Sequence, residues 1–96
     1  MKVVLRAAAA ADIQAARKNY DDARPGLGDD LAEDVDGLFA RLAVFPLSAP
    51  LVAGYEPVRR ARLRRFPYGV FYLPGADRMD VLRVVRTSRS SEAWRR

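Results

Sequence analysis

Apolar and polar positions along the chain follow two periods, and each change of period marks the end of an element. Residues 2–5, Lys-Val-Val-Leu, are short, apolar and β-branched, which predicts a first strand. Over residues 8–24 the apolar positions Ala9, Ile13, Ala16, Tyr20 and Ala23 recur every three or four residues and draw one helical stripe. Arg17, Lys18, Asp21 and Asp22 fall on the opposite face. Pro25-Gly26-Leu27-Gly28 then stops the helix and turns the chain, because proline cannot continue it and glycine accepts left-handed dihedrals. A second stripe follows at Leu31, Val35, Leu38, Phe39 and Leu42, with Asp29, Asp30 and Glu33 where the helix dipole favours carboxylates. Two helices joined by a short turn predict an αα-hairpin.

Pro46 and Pro50 close the second helix, and residues 51–57 read as a loop. Three strand-like runs come next, over residues 58–65, 68–73 and 79–86. Phe66-Pro67 separates the first two, and Pro74-Gly75-Ala76-Asp77 separates the second from the third. The order β-α-α-β-β-β predicts an α+β fold, in which the N-terminal strand and helical hairpin pack on a mostly antiparallel, four-stranded sheet. With 96 residues, one domain over 1–96 is expected.

Charge changes this picture by dividing it. Residues 1–48 hold 6 basic and 8 acidic side chains, whereas residues 49–96 hold 11 arginines against 4 acids. The net +5 therefore belongs to the second half, and its field favours an acidic partner: nucleic acid, an anionic membrane surface or an acidic protein segment. An all-arginine set suits bidentate carboxylate or phosphate contacts, and it is equally the composition a GC-rich genome produces. The chain has no Cys and no His. That excludes disulfides, zinc fingers, thiol and Ser-His nucleophiles, and imidazole acid/base chemistry. No apolar run is long enough for a signal h-region or a membrane span, so a cytoplasmic location without membrane association is expected.

The strongest candidate for function is the strand at residues 58–65. Alternation sends Ala61 and Leu63 to the core and projects Arg60, Arg62 and Arg64 from the other face, roughly 6.6 Å apart. Three like charges in a row read as an anion-binding stripe in preference to a solvated face. Near the C-terminus, Arg89, Trp94, Arg95 and Arg96 cluster in sequence, and the Trp serves either as a partner anchor or as the closing edge of a core. Tyr68 and Tyr72 share one strand face, opposite Phe71. Gly26-x-Gly28 lacks a third glycine and a preceding strand, which excludes a dinucleotide loop, and Asp34-x-Asp36-Gly37 lacks the first and last ligands of a calcium loop. Asp30 and Asp34 read as an exposed acidic first turn. No cofactor is expected.

Several of these features occur together in one family. The Pro25-Gly26-Leu27-Gly28 turn, the Phe45-Pro46 helix exit, the run Arg59-Arg60-x-x-x-Arg64-Arg65-Phe66-Pro67-Tyr68-x-x-x-Tyr72 and the final Arg89-x-x-x-x-Trp94 resemble the ParE toxins of the RelE/ParE superfamily of type II toxin-antitoxin systems. The resemblance covers nearly the whole chain. It implies a toxin that binds and inhibits DNA gyrase and is neutralised by a cognate antitoxin, whose acidic, partly apolar C-terminal segment wraps the toxin in a hetero-oligomer. Operator DNA would be met only through the antitoxin. On this reading Arg60, Arg62, Arg64 and Tyr68 meet the antitoxin, and Arg89, Trp94, Arg95 and Arg96 meet the target.

The enzyme alternative is a RelE-like ribosome-dependent mRNA endonuclease. The resemblance places that branch's basic second-strand residues at Arg60 and Arg62, but sets Gly69, Ser88 and Trp94 where it carries two arginines and a tyrosine. Without those groups, or a His, cleavage has neither an evident base nor a transition-state clamp. The chain also has Arg86, Thr87, Ser88, Arg89 and Ser91 where many relatives have His, Gly-Arg-Arg and Pro. A third reading is a basic nucleic-acid-binding module with no toxin role.

Overall fold

A computed structural model describes residues 1–87. Strand β1 (Lys2–Leu5) leads into helices α1 (Ala7–Ala23) and α2 (Leu27–Val44). Strands β2 (Arg59–Arg62), β3 (Tyr68–Pro74) and β4 (Arg78–Arg86) follow. The sheet order is β1-β4-β3-β2, with β1 parallel to β4 and both other pairs antiparallel. The anticipated α+β order is thus the one observed, and its one parallel pair among the described strands joins the first, β1, to the last, β4.

The two helices divide their work unequally. α1 buries only Ala9 and Ala16, whose small side chains let its backbone lie close, whereas α2 buries Leu31, Val35, Leu38 and Leu42. The turn between them is shorter than the sequence predicts. Gly26 takes the left-handed conformation (φ +92°) and caps α2 directly, so Gly28 lies inside the helix. There it is the contact point of the hairpin: a Cβ would sit 2.6 Å from the Arg17 carbonyl oxygen and 2.7 Å from the Asp21 carboxyl. The Gly28 N–H donates to that carboxylate at 2.7 Å.

One sheet face meets the helices and carries Ala61, Leu63, Tyr68, Val70, Tyr72, Met79, Val81 and Val84. Val81 and Val84 are an odd number of residues apart and could not share a face in a regular strand. A register shift makes it possible: Phe71 pairs Arg83 but Tyr72 pairs Val81, which leaves Leu82 as an extra residue. Beyond Val81, β4 keeps β3 on one side but has no strand on the β1 side, and α1 supplies the missing partner there. Asp12 accepts the Val84 N–H at 2.9 Å and takes Arg83 through two further bonds, Nε–Oδ2 at 2.7 Å and Nη2–Oδ1 at 3.0 Å. On the far face residues 50–55 fold back, so that Phe71 is buried beside Leu51, Val52 and Tyr55.

Asp34 departs from its expected role. It is only 7% exposed and is no surface acid of a first turn. Its carboxylate accepts three backbone N–H groups, from Arg64 at 3.2 Å, Arg65 at 2.7 Å and Phe66 at 3.1 Å. This also explains why β2 ends at Arg62 and not at residue 65: the following amides turn away from the sheet to reach α2. Asp34→Ala is expected to destabilise the fold by about 3 kcal/mol, since several charge-assisted bonds are lost together, with Asp34→Asn intermediate; urea unfolding measures both. Gly28→Ala, which must force the helices apart, is expected to cost about 1–3 kcal/mol in the same assay.

Candidate partner-binding groove

β2 is an edge strand, and α2 passes beside it without covering it. Between them runs a groove of about 470 Å³, walled by Leu38, Arg41, Leu42 and Phe45 from α2 and its exit, and by Ser48, Ala49, Pro50 and residues 60–62 on the other side. The strand edge is sealed at both ends. The Arg60 N–H donates to the Pro50 carbonyl at 3.0 Å, and the Arg64 N–H is held by Asp34. Because the Leu63 N–H points inward, to Tyr68 O at 3.0 Å, strand alternation turns the Arg62 N–H and carbonyl outward. A short hydrogen-bonding window therefore opens along the groove.

The wall after α2 is irregular, yet side chains from the sheet fix it. The Tyr72 hydroxyl, on a fully buried side chain, donates to the Pro46 carbonyl at 2.7 Å. Arg59 Nη1 donates to the carbonyls of Ala49 at 2.7 Å and Leu47 at 3.2 Å. With its backbone bound inward, the segment turns side chains to solvent: Phe45 and Leu47 are each 65% exposed, with Val44 and Leu51 beside them in sequence. A run of exposed apolar residues at a groove mouth is the mark of a contact surface and not of a core.

The expected arginine stripe is partly assembled. Ala61 and Leu63 are buried, as alternation requires, and Arg60 and Arg62 occupy β2 with partial and full exposure. The Arg60 stem crosses Gly69, where a Cβ would lie 3.3 Å from Arg60 Cδ, so the glycine forms a ledge for it. Arg64 lies past the strand end, in the turn that Asp34 holds. Tyr68 does not join the arginines. It faces the helices at 7% exposure, edge-on to Tyr20 with ring centroids 6.3 Å apart, and the Arg86 guanidinium lies 5.7 Å from its ring centre. Arg89, Trp94, Arg95 and Arg96 lie outside the described residues.

Arg41 carries no signal in the sequence, and Phe45, Arg59 and Tyr72 enter it only as parts of the family's motif, with no role in a groove, though a Phe-Pro-Leu run straight after an amphipathic helix signals apolar side chains with no stripe to join. A second cleft of about 460 Å³ separates α1 from the end of β4, where Asp12 is already committed to Arg83. Among the described residues no group of three or more acidic, His or Cys side chains is placed to hold a metal ion, and no helix is long and apolar enough to cross a membrane.

These features define a small α+β domain with an open sheet edge. The family model for the ParE toxin of the type II toxin-antitoxin system parDE matches residues 3–94, and the chain belongs to that family. Its fold is similar to that in the structure titled chromosomal ParDE TA system from P. aeruginosa, with a TM-score of 0.76 and 23% identity over 90% of this chain and 95% of the other. No curated protein sequence matches the chain significantly. As a member of a toxin-antitoxin family, it has a cognate antitoxin as its partner.

The wall's attachment is testable through Tyr72, whose burial raises its hydroxyl pKa above the usual value near 10 against smaller opposing effects of a backbone hydrogen bond with Ala49 and of the Arg59 charge. A raised pKa means that the folded state holds this proton more tightly. The resulting stability is complete below pH 10, where the unfolded tyrosine is also protonated, and is lost as pH climbs towards the folded pKa. Tyr72→Phe is expected to cost about 1 kcal/mol at neutral pH and to lose less stability than wild type above pH 10, as read by urea unfolding from pH 8 to 11.5.

Proposed function

We propose that this ParE toxin acts without catalysis, by binding and inhibiting DNA gyrase, and that the groove between α2 and β2 receives an acidic, partly apolar C-terminal segment of its antitoxin. The observation that carries the antitoxin reading is the juxtaposition of an apolar trough, an outward Arg62 peptide group and the arginines at positions 41, 60 and 62. Apolar side chains of the segment would supply most of the affinity. Its carboxylates would speed and orient docking. Arg64 extends the same basic margin past the strand end, whereas Tyr68 contributes from beneath by packing the sheet.

A binding role fits the chemistry better than RNA cleavage does. The chain contains no His, and the space above Gly69 is filled by the Arg60 stem. The resemblance sets an arginine of the RelE-like nucleases at that position. Arg89, Trp94, Arg95 and Arg96 are assigned to the gyrase contact, so that target and antitoxin engage different parts of the basic half. On this reading the toxin works in the cytoplasm, and operator DNA is reached only through the antitoxin.

Charge reversal at Arg41, Arg60 and Arg62 together is expected to weaken binding of the antitoxin encoded beside this gene at least tenfold and to flatten its salt dependence, measured by calorimetry at several ionic strengths. Unchanged affinity and salt slope would sink the groove assignment. Purified toxin is expected to inhibit supercoiling by gyrase; site-specific cuts in the ribosomal A site, mapped by primer extension, would replace that target with mRNA.

A further inference from the structure

The groove is a bounded trough and not a continuous channel, which bears on what else it can hold. Asp34 closes it near Arg64, and the Arg60–Pro50 hydrogen bond closes it at the other end. Its volume of about 470 Å³ falls within the ordinary range for small-molecule sites, and its lining combines Leu38, Leu42, Phe45, Ala49, Pro50 and Ala61 with Arg41, Arg60 and Arg62. Among the described residues Arg41, Arg60, Arg62 and Arg64 have no carboxylate within ion-pair distance, whereas Arg59 is bound to wall carbonyls and Arg65 lies 3.7 Å from Asp30. Asp34, one helical turn from Leu38, forms no ion pair with them, and its oxygens hold three amides.

We infer that the trough is also a binding site for a small amphiphilic carboxylate, with a medium-length alkyl or aryl body lying on Leu38, Leu42 and Ala61 and its head group between Arg41 on the helix and Arg62 on the strand. A guanidinium fork matches a carboxylate in charge and geometry. Burial of the body supplies affinity that a simple ion would lack. The site is a property of the toxin alone and stands whether or not gyrase is the target. It shares the trough with the antitoxin segment proposed above, so an occupying carboxylate competes with that segment and couples release of the toxin to the supply of such anions.

Octanoate and 1-octanol are suitable probes because they differ in the head group and share the chain. Titrated into ¹⁵N-labelled wild-type toxin, octanoate is expected to give saturable amide shifts at Leu38, Leu42, Ala49, Ala61 and Arg62, with 1-octanol at least tenfold weaker. The Arg41→Gln/Arg62→Gln pair is expected to lower octanoate affinity about tenfold and leave 1-octanol unchanged, with thermal melting checking that it folds. Equal affinity for the two probes, absence of saturation, or shifts centred on Asn19 and Arg86 would overturn the proposal even without the variant. Octanoate binding here without displacement of the antitoxin would support the small-molecule site and remove the segment from the trough.

Discussion

Asp34 gathers three amide protons from the β2–β3 turn onto one buried carboxylate, and much of the molecule's useful shape depends on that link. By drawing Arg64, Arg65 and Phe66 towards α2, it stops β2 after four residues and fixes the distance between the edge strand and the helix. The trough exists because that distance is held at one point and left open beyond it. The same turn delivers Phe66 to Tyr20 on α1, with ring centroids 4.9 Å apart and planes crossing at 71°, so both helices are tied to the sheet at this corner. A carboxylate buried among donors is stable only while all of them are present. The link therefore couples the trough's geometry to the integrity of the whole fold.

The opposite end of the trough is secured by different means. Tyr72 and Arg59 reach out of the sheet to bind three carbonyls of a segment that has no regular structure of its own. Holding the backbone inward leaves Phe45 and Leu47 no place but the surface. Exposed apolar side chains on a fixed backbone lose little entropy when a partner covers them, which makes such a wall a better docking surface than a free loop. Arg41, Arg60 and Arg62 line the trough together with its apolar residues, and charges so placed direct an approaching partner.

Much of this was legible in the sequence. The helical stripes, the strand alternation around Ala61 and Leu63 and the order of elements follow from local periodicity, which requires no knowledge of neighbours. What escaped notice depends on contacts between distant residues. Asp34 looks like any acidic residue near a helix start until a turn thirty residues away is brought against it. Arg83 looks like a core-facing position by simple alternation, and only the extra residue at Leu82 and the carboxylate of Asp12 explain it. The family resemblance groups Tyr68 with the arginines as an antitoxin contact. The sheet separates them by placing the tyrosine on its other face, under Arg86.

The position of β4 has a consequence in time as well as in space. It lies between β1 and β3, yet it is the last of the described strands to be synthesised. Until its residues emerge from the ribosome, β1 has no partner, Asp12 has neither the Val84 amide nor Arg83 to bind, and the nascent chain amounts to a helical hairpin and a two-stranded ribbon, which is marginally stable at best. A toxin built this way cannot complete its sheet while most of it is still being made. The core that sheet and helices share closes only once β4 is in place, because Met79, Val81 and Val84 come from that strand.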